Sequence, residues 1–262
     1  MSERSEPTRN TARDPIVTAM VEQHAELAGV LAGLSDDDWS LPSRCDGWAV
    51  ADVVLHLAQT DEMALASLEG DLSEKSAWLT SGVTGTTVDD AVAGMVAKQR
   101  GAPIGAIRAR WTAGVAALQV AFESYDLSKR VPWVSGDLSA RTLATTRLAE
   151  SWIHTGDVAD AAGVVLLPSD RLRYIARLAW RTLPYAFARA GQKLTGPVAF
   201  ELRGPLGDRW DFVPDPAPLT TIRGDADDLC LVAARRIDPA ATSLVGDGPD
   251  AGAVLDLVRT YA

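Results

Sequence analysis

Apolar residues recur at helical spacing through residues 15–162, and this periodicity restricts the possible folds more than any other feature of the sequence. Val50, Val53, Val54 and Leu57, for example, share one face of a helix. The pattern predicts four principal helices at residues 15–34, 50–69, 87–122 and 138–162, the third broken near 101–103. Residues 70–86 are rich in Ser, Thr and Gly and are expected to form a connection. Four helices of this length are typical of an antiparallel bundle.

The pattern changes after a further helix expected at residues 171–190. Short β-branched and aromatic runs, punctuated by Gly and Pro, predict strands at residues 198–203, 209–213, 219–223 and 243–245. Helices are expected between and after them, at residues 226–234 and 251–261. We therefore expect a mainly α protein with an α+β C-terminal part. Its divisions would be a loose N-terminus (1–13), a helical bundle (14–167), and a linking helix with a small α+β domain (168–262).

Charge and composition exclude several classes of function. The formal net charge is −10 and the pI is about 4.8, whereas binding to nucleic acid or to an anionic membrane needs a positive field. The sequence has no apolar stretch long enough to span a bilayer, and we expect no signal peptide. Cys45 and Cys230 are too far apart to form a CxxC metal pair or a disulfide framework. We expect a cytoplasmic protein with reduced cysteines and a small-molecule substrate.

The fourth helix carries the residues best suited to chemistry. Glu150 and His154 are four residues apart, so they project from one helix face about a turn apart. A carboxylate and an imidazole held in this way can bind a divalent metal if another helix supplies a third ligand, and His56 is the candidate. The alternatives are that Glu150 faces solvent or pairs with Arg147, and that each histidine is a packed core residue.

Two segments extend this interpretation by resemblance to a known family. Residues 41–58 read LPSRCDGWAVADVVLHLA, and residues 150–157 read ESWIHTGD. Both resemble the mycothiol-dependent maleylpyruvate isomerase family of the DinB-like superfamily. Residues 222–247, which include Arg235 and Arg236, are similar to the small C-terminal domain of that family.

The resemblance implies a fold, a ligand set and a cosubstrate. The fold would be a DinB-like antiparallel four-helix bundle followed by a small α+β domain. The ligands of a divalent metal, zinc in the first instance, would be His56, Glu150 and His154. The metal would activate a low-molecular-weight thiol, mycothiol, for isomerisation of a small electrophile or for S-transfer to it.

General chemistry is consistent with that reading and leaves alternatives open. Three protein ligands leave a fourth position free, where a coordinated thiol is held as thiolate at neutral pH. The same position could instead hold water and support hydrolysis, or the site could be purely structural in a non-enzymatic metal-binding module. A fourth protein ligand would indicate the structural role, and thiol-dependent turnover would separate transfer or isomerisation from hydrolysis. Neither cysteine neighbours a histidine in sequence, so no nucleophile from the chain is expected to compete.

Five further residues are weaker candidates, and each has a structural alternative. Asp157 and Gln59 could orient the ligands as outer-sphere partners. Alternatively, Asp157 could be a solvated helix residue, and Gln59 could have only a structural role. Arg44, Trp152 and Arg236 could bind the substrate. Arg44 could equally pair with Asp46, Trp152 could belong to the core, and Arg236 could be a solvated residue at a helix end.

Overall fold

The computed structural model describes residues 13–84, 87–134 and 136–260. Most of the loose N-terminus expected at 1–13, and the last residue of the helix expected at 251–261, lie outside these ranges. The helices are α1 (Pro15–Ala32), α2 (Val50–Glu69), α3 (Leu72–Thr80), α4 (Val88–Gln99), α5 (Ile104–Ser124), α6 (Ala140–Ala161), α7 (Leu172–Arg189), α8 (Ala226–Ala233) and α9 (Ala251–Leu257). The strands are β1 (Arg130–Val131), β2 (Leu138–Ser139), β3 (Val198–Arg203), β4 (Arg209–Phe212), β5 (Thr220–Asp225) and β6 (Val245–Asp247).

Four long helices, α1, α2, α5 and α6, form the body of the N-terminal helical part. The main contacts join α2 to α5, α1 to α6 and α2 to α6, so α2 and α6 lie side by side. The predicted break at 101–103 separates α4 from α5. The connection expected at 70–86 contains a helix that the sequence pattern does not predict, because α3 occupies residues 72–80. On α3 the buried residues are Leu72 and Leu79. Two buried apolar residues in a segment rich in Ser and Thr do not form a recognisable helical pattern.

The C-terminal part contains a four-stranded mixed sheet in the order β4-β3-β5-β6. Strands β3 and β4 form an antiparallel hairpin, β5 pairs with β3 in parallel, and β6 pairs with β5 antiparallel. Helices α8 and α9 follow β5 and β6, and both contact α7. A mainly helical protein with a small C-terminal sheet is therefore confirmed.

One apolar cluster joins the two parts. It includes Met20 of α1, Leu148 of α6, Phe200 of β3 and Val258 after α9, all of them buried. Helix α7 lies between the parts and packs on α6, α8, α9 and strands β3 and β4. The core therefore continues across the division expected between residues 167 and 168. Within the described ranges, none of the helices combines the length and apolarity needed to cross a membrane.

A buried ion pair fastens α2 to α6. The Arg147 guanidinium donates from Nε to Asp61 Oδ1 at 2.9 Å and from Nη2 to Thr60 Oγ1 at 2.9 Å. The side chains of Arg147 and Asp61 are 2% and 0% exposed, so solvent screens neither charge. This pair answers one question left by the sequence, because Arg147 pairs with Asp61 and leaves Glu150 to other partners.

We expect Asp61→Asn to destabilise the fold by about 3–5 kcal/mol, because it leaves the buried Arg147 charge without its counter-ion. Urea unfolding followed by circular dichroism would measure this loss. Asp225→Asn is the matched control, because its pair with Arg203 is solvent-exposed and its removal should cost far less. Equal losses of unfolding free energy in Asp61→Asn and Asp225→Asn would contradict a stabilising role for the buried Arg147–Asp61 pair.

Candidate metal centre

Helix α6 brings three polar side chains to one side of the helical part. The Ser139 side chain caps its N-terminus by accepting a hydrogen bond from the Thr142 backbone N–H. Glu150, His154 and Asp157 follow at intervals of four and three residues, so they lie along one face. All three are buried. Helix α6 therefore presents a continuous polar stripe to the interior.

A compact loop before α2 closes over this stripe. Ser43 donates two hydrogen bonds to the Trp48 carbonyl, one from its backbone N–H at 2.9 Å and one from its hydroxyl at 2.9 Å. Gly47 has φ of 74°, a left-handed conformation that glycine adopts without strain. The Asp52 carboxylate accepts from the Ala49 N–H at 3.0 Å and so caps α2. The loop thereby fixes the entry of α2, and with it the position of His56.

His56, Glu150 and His154 converge on one point between α2 and α6. His56 Nε2 lies 3.2 Å from Glu150 Oε2, and His154 Nε2 lies 3.6 Å from the same oxygen. The two imidazole rings are 4.9 Å apart and nearly perpendicular. The three residues are between 5% and 7% exposed. Their ligand atoms all lie within 4.8 Å of one another, and within the described part of the chain no further His, Cys, Asp or Glu joins this set.

The electrostatics of this set favour a cation. Burial would raise the pKa of Glu150, but hydrogen bonds from His154 and His56 outweigh it and hold the pKa well below its ordinary value. Burial lowers the pKa of His56, because it disfavours the charged form of the imidazole. Two imidazoles and an ionised carboxylate, buried and convergent, fit a divalent metal such as Zn²⁺.

A second, overlapping group surrounds the other ring nitrogen of His154. Asp157 Oδ2 lies 2.9 Å from His154 Nδ1, and Cys45 Sγ lies 3.9 Å from it. Burial would lower the pKa of His154, but hydrogen bonds with Asp157, Cys45 and Glu150 outweigh it and raise the pKa well above its ordinary value. Asp157 thus faces Nδ1 and leaves Nε2 directed at Glu150.

Cys45, His154 and Asp157 are also close enough together to bind a metal. However, Arg236 donates to both oxygens of Asp157, from Nε at 2.6 Å and from Nη2 at 2.7 Å. A metal on that carboxylate would have to compete with the bound guanidinium. The set of His56, Glu150 and His154 is therefore the better candidate.

The other predicted site residues differ in how close their contacts bring them to this centre. Gln59 is directed away from it, because its amide donates to Met95 O at 2.9 Å and to Gln99 Oε1 at 3.2 Å on α4. Trp152 packs against the apolar cluster that joins the two parts. Arg44 is exposed and donates to the Arg236 carbonyl at 2.6 Å. The Arg236 guanidinium is engaged by Asp157, as described above.

The contacts of Cys45 at the centre are not anticipated by the sequence pattern. Neither cysteine neighbours a histidine in sequence, yet the fold brings the Cys45 thiol beside His154 and 3.4 Å from Asp157 Oδ2. Its position in the loop that leads into α2 was the available signal. Trp48 lies in the same loop, and its ring centroid is 5.3 Å from that of His56. The loop therefore forms one wall of the site.

The fold and the site define a helical protein with a candidate divalent-metal centre between two helices and a small mixed sheet at the C-terminus. Residues 20–159 match the sequence profile of the family described as the mycothiol maleylpyruvate isomerase N-terminal domain. The chain belongs to this family, as its resemblance at residues 41–58 and 150–157 predicted.

Two relatives and two crystal structures are similar to the chain over most of its length. The chain is 31% identical over 253 residues to two Mycobacterium tuberculosis proteins named uncharacterized protein MT0041 and uncharacterized protein Rv0036c, and each alignment covers 95% of both chains. Crystal structures of the mycothiol-dependent maleylpyruvate isomerase, and of a mutant with one histidine replaced by alanine, match with a TM-score of 0.60. They cover 90% of this chain and 94% of theirs at 20% identity, a likeness of fold.

We expect the wild-type chain, purified without a histidine tag, to bind about one Zn²⁺, as expected of a single three-ligand site. His154→Ala should lose this metal, because one of three ligands is removed. Plasma mass spectrometry after reconstitution would measure it. His24→Ala is the control, since His24 is a buried histidine of α1 outside the ligand set. Metal retained by His154→Ala would place the site elsewhere.

Proposed function

We propose that this protein is a metal-dependent enzyme that uses a low-molecular-weight thiol of the mycothiol type. The reaction would be isomerisation of a small electrophilic substrate or S-transfer to it. Family membership supports the proposal, and so does the shared fold with a protein named a mycothiol-dependent maleylpyruvate isomerase. The metal itself is proposed from the geometry of His56, Glu150 and His154.

One observation carries the proposal. Three buried donors from α2 and α6 converge, and within the described ranges no fourth side chain of a ligating type completes the set. Structural zinc sites are usually closed by four protein ligands, whereas catalytic sites keep one position for an exogenous molecule. This open arrangement favours an enzyme over a non-enzymatic metal-binding module.

The proposed roles of the residues follow from their contacts. When bound, a divalent metal, zinc in the first instance, supplies the positive charge that keeps a coordinated thiol deprotonated and ready to add to an electrophilic carbon. His56, Glu150 and His154 would hold the metal, and Asp157 would hold the Nδ1 proton of His154 so that Nε2 remains the ligand. The Trp48 ring beside His56 would restrict access of water from the loop side. The same donors also accept Fe²⁺, Ni²⁺ and Mn²⁺.

We expect the zinc-loaded chain to convert maleylpyruvate, or a related electrophile, only when mycothiol is present. A spectrophotometric assay of product formation would measure this. Product should form with mycothiol and should not form when mycothiol is left out. His56→Ala should reduce turnover by more than the roughly 10–100-fold typical of losing an outer partner, because a metal ligand is removed.

Cys45→Ser separates the proposed external thiol from a thiol of the chain. The Cys45 sulfur lies beside the centre, so it is the alternative source of a nucleophile. We expect the variant to keep its mycothiol-dependent turnover. Turnover without thiol that disappears in Cys45→Ser would contradict the proposal. If the wild type and Cys45→Ser both cleaved esters or amides without added thiol, the protein would instead be a hydrolase.

A further inference from the structure

Arg236 extends from the C-terminal part to the edge of the candidate metal centre. Its guanidinium binds Asp157 through two parallel hydrogen bonds, at 2.6 Å to Oδ1 and 2.7 Å to Oδ2. The same Asp157 Oδ2 lies 2.9 Å from His154 Nδ1. A chain of direct contacts therefore runs from the turn after α8, through Asp157, to one of the three proposed ligands.

The turn that carries Arg236 is built to hold it in place. Arg235 has φ of 60°, and within the described residues it is the one non-glycine residue with a positive φ. Such a conformation is costly for a residue with a side chain and persists where the surroundings enforce it. Arg236 Nη1 donates to Ala234 O at 3.0 Å, and Arg44 donates to the Arg236 carbonyl at 2.6 Å. Both the backbone and the guanidinium are thus fixed.

Asp157 depends on this contact. Its side chain is 1% exposed, and a buried carboxylate needs cations or strong donors around it. Arg236 occupies both oxygens in the bidentate geometry that arginine favours, so the carboxylate is held in one plane. Because that plane determines where Oδ2 meets His154 Nδ1, Arg236 also determines the orientation of the His154 ring.

The other histidine has no equivalent support. The Nδ1 atom of His56 is buried, and among the described residues it has no hydrogen-bond partner. Ligating histidines ordinarily use that second nitrogen to fix the ring. The outer support of the ligand set is therefore concentrated on His154, in the contact that Arg236 completes.

We propose that Arg236 is a positioning residue of the metal centre, through which the C-terminal part sets the affinity of the α2–α6 site for its metal. This inference rests on the metal site of the proposed function and extends it to the C-terminal part. It assigns the guanidinium to the orientation of a ligand rather than to binding of substrate. Because binding equilibria are reciprocal, metal binding also strengthens the attachment of the Arg236 turn.

Zinc affinity measured by competition with a chromophoric chelator tests this directly. We expect Arg236→Gln to bind Zn²⁺ about 10–100-fold more weakly than wild type, the range seen when outer partners of metal ligands are lost. Arg236→Lys keeps the charge but not the two parallel bonds, so its affinity should fall between the two. Visible spectra of the Co²⁺-loaded proteins should change in Arg236→Gln, since they report ligand geometry.

Arg203→Gln is the matched control. Arg203 forms a two-bond pair with Asp225, at 2.6 and 2.9 Å, in the C-terminal sheet and outside the ligand set. It should leave both zinc affinity and the Co²⁺ spectrum unchanged. A merely structural role for Arg236 would lower the midpoint of thermal unfolding of the metal-free protein and leave the zinc dissociation constant at its wild-type value.

The outcomes separate this inference from the proposed function. Wild-type zinc affinity and an unchanged Co²⁺ spectrum in Arg236→Gln would overturn the inference and leave the proposed function standing. A wild-type chain that binds neither metal would overturn both. A third outcome combines weakened zinc binding in Arg236→Gln with wild-type turnover that does not depend on thiol. It would support the inference on Arg236 and contradict only the proposed thiol chemistry.

Discussion

A carboxylate buried between helices is stable only with positive charge or strong donors around it, and Glu150 imposes this requirement on the structure. Helix α2 must lie against α6 so that His56 reaches the Glu150 oxygen, and His154 must follow one turn later on α6. The Arg147–Asp61 ion pair holds the same two helices together without using Glu150. The pairing of α2 with α6 therefore serves both the core and the candidate metal centre.

Local patterns were sufficient to predict most of the fold. Helices with several apolar residues per turn, and strands set between Gly and Pro residues, lie close to their predicted positions. Helical spacing does not predict α3, because its nine residues bury only Leu72 and Leu79. Its place is set by packing against α2 and α4, a long-range property that local sequence does not encode.

The site was predictable to the extent that it is local. Helical spacing predicts Glu150 and His154 as a pair, and the place of His56 on a second helix, together with the family resemblance, indicates the third ligand. The contacts of Cys45 with His154 and of Arg236 with Asp157 span more than 75 residues of chain. Only the folded chain brings such pairs together. Gln59 shows the converse, since its place one turn after His56 suggested the site and its amide is instead bound to α4.

The continuous apolar cluster crosses the boundary between the helical part and the C-terminal part. The family profile ends at residue 159, but the cluster that begins with Ile16 includes side chains as distant as Val258. A fragment cut at the profile boundary would expose the faces of α1 and α6 that pack into this cluster. The C-terminal part therefore completes the hydrophobic interior of the helical part, and its loss would leave a large apolar surface exposed to solvent.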